Sequence, residues 1–531
     1  MLRLTNFPMP LDYTPATLRQ AVEKKLSLAR DQLTGVTVVR RSVDARNRED
    51  VHFVLSLDLQ VRNEQALLRR FRFLSPVNRP HPSPLPEPAF ALPPLVVGAG
   101  PAGLFAALTL ARAGANPILI ERGKSVEKRT QDVTRMAEEG RLDPESNVQF
   151  GEGGAGAFSD GKLTCGVKSP YLRDVLETFI AHGAPEEIRI DQKPHIGTDR
   201  LRGVVASIRE EIRHLGGQVL FETRLEELIL HQGHVAGAIV SHGGEKQEIR
   251  TETVLLCIGH SARDTVQRLF DQGVRMVRKP FAMGVRIEHP RIMIDRSQYG
   301  PFAGHPALGA ATYKLVCHTP DDRGVYTFCM CPGGHVIAAA SQPDGVAVNG
   351  MSYHARDAEN SNSALLVGVK PEDFGTEDDP LAGFFLQRRI EKLAFRAGGG
   401  GYRAPAQRVE DFLLDRETRA FGDVQPSYRP GVTPADLRAV LPDFIAADLK
   451  KGIRAMNAQL AGFAMPDAVL TAPETRSSSP VRMTRTREGE AEDIAGLYPV
   501  GEGAGYAGGI VSAAMDGITA ARAAMEKSRL I

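Results

Sequence analysis

The apolar positions change period several times within the first 75 residues. Residues 2–8 form a short apolar-rich run that predicts a strand. From 14 to 28 the period lengthens to that of a helix, with Leu18, Val22 and Leu26 on one face. Thr14 stands at the N-cap and Pro15 in the first turn, where a missing N–H costs nothing. Val36, Thr37, Val38 and Val39 are β-branched throughout and predict a second strand. Residues 51–61 alternate Phe53, Leu55, Leu57 and Leu59 with His52, Ser56, Asp58 and Gln60, the period of a half-buried strand. A short helix over 63–71 follows. This β-α-β-β-α order predicts a ferredoxin-like α+β domain over 1–75. Residues 76–94 then hold eight prolines, at 76, 80, 82, 84, 86, 88, 93 and 94. That composition predicts an extended, semi-rigid connector sharing few contacts with its neighbours.

Beyond the connector the pattern is that of a parallel α/β unit. Leu95, Val96 and Val97 predict a buried strand, which runs into Gly98-Ala99-Gly100-Pro101-Ala102-Gly103. Leu104, Phe105, Ala107, Leu108 and Leu110 then give a helical apolar face. Residues 117–120 predict the next strand, which ends on Glu121-Arg122. Strand, G-x-G-x-x-G turn, helix, strand and terminal acid in this order make a dinucleotide-binding fingerprint. Gly98 permits the tight turn, Gly100 lets backbone approach a pyrophosphate, and Gly103 lets helix pack on strand. The helix N-terminus offers unpaired N–H groups to the phosphates. Glu121 is placed to accept hydrogen bonds from ribose hydroxyls and would repel a 2′-phosphate.

Residues 147–163 are glycine-rich with interspersed Phe150, Ala155, Phe158 and Leu163, which predicts a packed loop lying against a flat ligand. Helices are predicted over 171–181 and 198–215, a strand over 187–192, and an alternating meander over 224–256. A buried strand over 254–258 ends in Gly259. Residues 280–460 read as strands (283–288, 312–317, 325–329, 335–340) followed by helices (381–396, 434–461). The chain then returns with a strand over 496–500, a glycine-rich turn from Gly501 and an alanine-rich helix from Ile510. The expected organisation is a Rossmann-like nucleotide domain over 95–279 and 465–531, interrupted by an α+β substrate or cap domain over 280–464.

Composition narrows the class. The net charge of +1 argues against bulk attraction to nucleic acid or membrane. Five cysteines, spread over a long chain, do not read as a disulfide framework, and no C-x-x-C partner suggests zinc or another metal. No signal peptide and no long uninterrupted apolar stretch are visible, so a cytoplasmic setting is expected.

The segments 98–103 with Glu121-Arg122, NVQFGEGGAGAFSDGKL, KPHIGTDRL, IGHSARD, KPFAMGVRIEHP, FCMCPGG, ETRSSSPVR and LYPVGEGAGYAGGIVSAAMDG together resemble a bacterial family of FAD-dependent dehydrogenases of the glutathione-reductase superfamily. The chain is more distantly similar to aminoacetone-oxidase-like and geranylgeranyl-reductase-like flavoproteins. The resemblance implies FAD and lends no particular reaction. It implies that Glu502 holds ribityl or ribitol-phosphate groups and that N–H groups at Gly509 and Ile510 face the flavin's N1/O2 edge. With Pro101 and Ala102 in the turn, Gly154, Gly156 and Lys162 in the glycine-rich loop, Leu225 in the meander and Gly259, these complete the candidate cofactor site. A nicotinamide, NADH or NADPH, would visit as electron donor, because a single fingerprint is present.

His195, Arg263, Arg286, Cys329 and Cys331 are the candidate catalytic groups, with Thr198 beside them. Each has a plainer alternative: His195 caps a turn, Thr198 caps its helix, Arg263 pairs with Asp264, and Arg286 points to solvent. Cys329 and Cys331 would share one face of a strand, either as a redox pair or as small buried residues. Two readings stand beside the oxidoreductase acting on a small molecule. One is a flavoprotein that binds or modifies RNA through Arg40, Arg41, Arg46 and Arg48 of the N-terminal domain. The other is a flavin-bound scaffold without catalysis.

Overall fold

In the computed structural model, which describes every residue except 30, 79–83, 321, 377 and 531, the alternating run His52–Val61 lies inside a four-stranded antiparallel sheet. The strand order is Leu33–Asp44, His52–Val61, Leu2–Met9, Leu74–Pro76. Phe53, Leu55, Leu57 and Leu59 are buried, as are Leu18, Val22 and Leu26 of the helix Pro15–Leu26. Thr14 and Thr17 cap that helix reciprocally through their hydroxyls. The fourth strand, which ends on Pro76, completes the ferredoxin-like order. Composition alone assigned Pro76 to the connector, but a proline is tolerated on an edge strand.

The expectation of few shared contacts is not met. Leu33–Asp44 is the opposite edge of the small sheet, and an open edge seeks partners. The Arg41 N–H donates to the Ile190 carbonyl at 2.7 Å, the Gln192 N–H donates to the Arg41 carbonyl at 2.9 Å, and the Arg41 guanidinium pairs with Asp191. The strand expected over 187–192 is therefore a 3-10 turn, Glu186–Arg189, followed by a single bridge at Asp191. The apolar core of the small sheet also runs unbroken into that of the large sheet below. Pro80 and Pro82 of the expected connector lie outside the described residues. Its later part is tied to the C-terminal helix, where Arg522 donates to the Pro84 carbonyl and Ser528 accepts from the Ala89 N–H.

The nucleotide fingerprint sits in a five-stranded parallel sheet of order Leu497–Pro499, Val254–Leu256, Leu95–Val97, Ile118–Ile120, Gln218–Leu220. The helix Pro101–Arg112 is apolar on nearly every side, because the sheet and the helices Thr198–His214 and Ile510–Ser528 enclose it. Three antiparallel strands, Thr223–His231, His234–His242 and Glu245–Arg250, form the expected meander.

A seven-stranded mixed sheet occupies the region after residue 280. Its centre is Phe281–Pro290, between Asn360–Val369 and Val469–Glu474, with Gly324–Cys331 one strand further out. Phe281, Met283, Val285 and Ile287 join the core that also holds Leu449 and Ile453 of the helix Asp443–Gln459. Strand alternation turns Arg286 and Glu288 to the opposite face, which is also buried. The helix expected over 434–461 starts only at Asp443, because Pro442 cannot sit within it and Pro434 belongs to the strand Val432–Pro434.

Candidate active site

A cleft runs from the G-x-G-x-x-G turn to the buried face of the seven-stranded sheet. At its first end Gly98 has φ 101°, and a Cβ there would lie 2.5 Å from the Cys257 carbonyl oxygen. A Cβ on Gly103 would lie 1.8 Å from the Gly98 oxygen, so that glycine sets helix against strand and does not face the cleft. Gly100 differs from both: the nearest atom to a Cβ there is the Gly154 Cα at 3.8 Å, and this face opens to the cleft. Pro101 begins the helix, and Pro101 and Ala102 line the same end.

Glu121 also lines the cleft, but its carboxylate has further partners. It accepts the N–H groups of Ala99 at 2.8 Å, Gly123 at 2.9 Å and Gly151 at 2.9 Å. A carboxylate offers about four acceptor positions, so roughly one stays open toward a ribose hydroxyl. Glu121 thus clamps the phosphate turn to the glycine-rich loop, a role its position in the fingerprint did not reveal. Arg122 stacks over Phe150 at 4.0 Å and pairs with Glu145 and Asp264, which hold its pKa up against burial.

Further along, Gly154, Gly156, Lys162, Leu225, Gly259, Glu502, Gly509 and Ile510 line the walls. Gly501 lies behind them, against Ala102. Glu502 and His260, which face this part, have displaced pKa values. Burial pushes the Glu502 carboxyl up to about 8, with Lys279 opposing. Burial, with Arg476 and Arg263, lowers His260 to about 4, so the ring is neutral near pH 7. Its Nδ1 lies 3.8 Å from Glu502, and its buried Nε2 has no partner among the described residues.

The far wall comes from the large sheet. Arg286, wholly buried, pairs with Glu474 through Nε at 2.7 Å and Nη2 at 3.2 Å. It also donates to Asn349, Asn362 and the Cys329 carbonyl. Five hydrogen bonds hold its charge deep in the protein, so the solvent-facing alternative is overturned. Arg263 likewise leaves Asp264 to Arg122 and forms two bonds with the buried Glu391, which Arg476 also binds. The apolar burial of Glu391 is offset by these two guanidinium groups, which hold its pKa well below the usual carboxylate range.

Of the catalytic candidates only Cys329 reaches the cleft lining. His195 stacks on His354 with ring centroids 5.1 Å apart, and its Nε2 is bound to the His354 carbonyl. Thr198 donates to the Ala157 carbonyl and does not cap, since Gly197 holds the N-cap position. Cys329 and Cys331 do not sit in a flat strand. Phe328 pairs with Ala364 and Cys331 with Asn362, which leaves one extra residue in the strand, and Cys329 has φ 43°. Unbroken alternation would have turned both cysteines to the core with Val325. The bulge instead sends Met330 there and brings both cysteines to the cleft side. Asn349, Glu474, Arg476 and His260 complete the walls without having been singled out. For Glu474 and Arg476 the signal was available, as charged residues in the segment ETRSSSPVR just after the mostly apolar run Ala468-Val469-Leu470-Thr471-Ala472.

Residues 280–477 match the family described as FAD-dependent protein, C-terminal domain-like; residues 92–134 match the FAD binding domain, and 1–60 a domain of unknown function. A protein of Clostridium beijerinckii described as uncharacterized is 46% identical over 531 residues, covering 99% of each chain. The chain belongs to this family of FAD-dependent proteins. Its cofactor is FAD, and the cleft fits that group: the open face of Gly100, the helix N-terminus at Ile510 and the unpartnered His260 Nε2 all border it. Solved structures that align with this family member include a geranylgeranyl bacteriochlorophyll reductase-like protein of Thermoplasma acidophilum, with 14% identity, a TM-score of 0.38, and 82% and 79% of the two chains covered. Another is a flavoprotein/dehydrogenase of Cytophaga hutchinsonii, with 10% identity, a TM-score of 0.36, and 82% and 79% covered. Among the described residues, no helix is long and apolar enough to cross a membrane.

The raised Glu502 carboxyl should make FAD affinity depend on pH. Below about 8 the group is neutral and can donate to a phosphate or ribityl oxygen; above it a negative charge shares the cleft with the pyrophosphate. Affinity of the apoprotein for FAD should be flat up to about pH 8 and then fall, by at most about tenfold per pH unit for one titrating group. Glu502→Gln should remove the fall, as checked by fluorescence titration of FAD; a parallel decline in parent and variant would exclude Glu502 as its source.

Proposed function

We propose that this FAD-dependent protein is an oxidoreductase of the glutathione-reductase type, a dehydrogenase or reductase acting on a small molecule. In this reading residues 280–464 form the substrate or cap domain, and NADH or NADPH visits as electron donor. The observation that carries it is the far wall of the cleft, where Cys329, Asn349, Glu474 and Arg476 line the same space as the candidate FAD-binding residues. A chain that merely stored flavin would have no use for such a polar wall, whose groups must be desolvated to be there. FAD, when bound, supplies two-electron chemistry. The protein's part would be to hold it: Glu121 clamps the glycine turn to the glycine-rich loop, N–H groups at Gly509 and Ile510 would meet the ring edge where reduction adds charge, and Lys162 would add a positive charge.

Less supports the RNA reading. Arg41 and Arg46 are paired with Asp191 and Asp44, and Arg48 packs on Gly300. Anaerobic addition of NADH or NADPH to the FAD-loaded protein tests the proposal. The 450 nm flavin band should bleach with one of them and return when a suitable acceptor is added. A flavin that neither donor reduces, in a screen that includes RNA, would leave the non-catalytic scaffold as the better account.

A further inference from the structure

We propose that Cys329 and Cys331 form a dithiol/disulfide couple that exchanges two electrons with the FAD held in the same cleft, an inference that rests on the oxidoreductase reading and deepens it. The first support is geometric. A non-glycine residue at φ 43° is held in a sparsely populated conformation, which persists only when its surroundings impose it. Two cations do so here: Arg286 donates to the Cys329 carbonyl at 2.9 Å, and the Lys162 ammonium donates to the Met330 carbonyl. Two small apolar fillers would need neither the bulge nor its cationic clamps. A disulfide between residues two apart also requires the chain to bend, and the bulge supplies that bend where a flat strand would not.

The second support is the company the sulfurs keep. The Cys331 thiol donates to the Cys329 carbonyl at 3.3 Å, and its Sγ lies 4.0 Å from Arg286 Nη1, which donates to it. Lys162 is itself fixed by Asp160 at 3.2 Å, which Arg356 also binds. The adjoining Cys331 side chain, with Lys162 and Arg286, favours Cys329 as the thiolate despite burial; Cys331 is correspondingly held as the thiol. One thiolate beside one thiol is the state from which a disulfide forms. Cys329, in the cleft wall, is the sulfur that meets the flavin, and Cys331, buried behind it, is the resolving one.

The step balances without another reactant. The Cys329 thiolate and the Cys331 thiol become a disulfide: one S–H bond breaks, one S–S bond forms, and two electrons and one proton are released. FAD takes up the two electrons and the proton and becomes FADH⁻. The reverse step returns the dithiol.

Dithionite titration of the air-oxidised, FAD-loaded full chain under anaerobic conditions tests the couple independently of any natural donor. The parent should take up about four electrons per FAD, two for each couple. Cys329→Ser and Cys331→Ser should each take up about half as many, and Cys317→Ser, outside the cleft, should match the parent. Thiol alkylation after denaturation gives a readout that needs no flavin signal. Three of the five cysteines should react in the oxidised parent and all five after reduction, with mass mapping placing the link at 329–331. A parent that takes up only two electrons and shows five reactive thiols would overturn the inference. Failure of NADH and NADPH to bleach the flavin, with four electrons still accepted from dithionite, would instead refute the proposed donor and support the couple.

Discussion

Gly100→Val should yield a folded protein that purifies without flavin. Gly100 has φ −73° and ψ −177°, extended backbone that valine adopts without strain, and apart from its chain neighbours the atom nearest the new Cβ is the Gly154 Cα at 3.8 Å. The branched side chain therefore occupies only the cleft, where the fingerprint requires backbone to meet the pyrophosphate. Loss of a charge-assisted contact (about 1.5–3 kcal/mol) together with overpacking (about 1–3 kcal/mol) predicts a fall in FAD affinity of roughly 100-fold or more. The ratio of 450 nm to 280 nm absorbance on the purified variant checks the flavin, and circular dichroism checks the fold. Gly103→Val is the contrasting case: its Cβ would collide with backbone at 1.8 Å, so that variant should fail to fold. Normal flavin content in folded Gly100→Val would place the pyrophosphate elsewhere.

The phosphate end of the cleft was legible because its parts lie within 28 contiguous residues, 95–122, and each uses a local rule of turn, helix start or strand end. The far wall obeys equally simple rules but over long separations. Arg286 and Glu474 stand 188 residues apart and meet through the pairing of Phe281–Pro290 with Val469–Glu474. Alternation alone does place Arg286 on the face opposite Val285 and Ile287. What it does not disclose is whether that face meets water or another layer, and here another layer covers it. The bulge at Cys329 left no mark in the sequence, since a cysteine at positive φ is imposed by Arg286 and Lys162 and not by its own preference. Glu121 shows the same limit at short range. Its place after the second strand suggested a ribose contact, while its three backbone partners depend on how residues 123 and 151 fold back onto the turn.

Arg286→Leu should be among the most destabilising single changes in the protein. Arg286 and Glu474 are respectively 0% and 3% exposed, and the variant leaves the carboxylate buried with its cation removed. Breaking a buried pair from one side costs about 3–5 kcal/mol, because the remaining charge is uncompensated. At roughly 2–4 °C per kcal/mol for a domain of this size, the melting temperature should drop by roughly 6–20 °C. Burial already raises the Glu474 carboxyl above its ordinary value while Arg286 opposes the rise, so removing Arg286 lets it rise further. An acid whose folded pKa is raised keeps its proton in the native state after the unfolded chain has released it. Stability of the variant must therefore fall as pH climbs past the unfolded value of about 4.5 and level off above the folded one. The gap between variant and parent should be smallest near about pH 5 and widest near about pH 8. Adding Glu474→Leu to Arg286→Leu removes the stranded carboxylate, so the double variant should recover much of the loss and lose this pH dependence. Thermal melts of the parent, both single variants and the double variant at these two pH values decide it. Additive losses with no change across pH would mean that the two charges do not depend on one another.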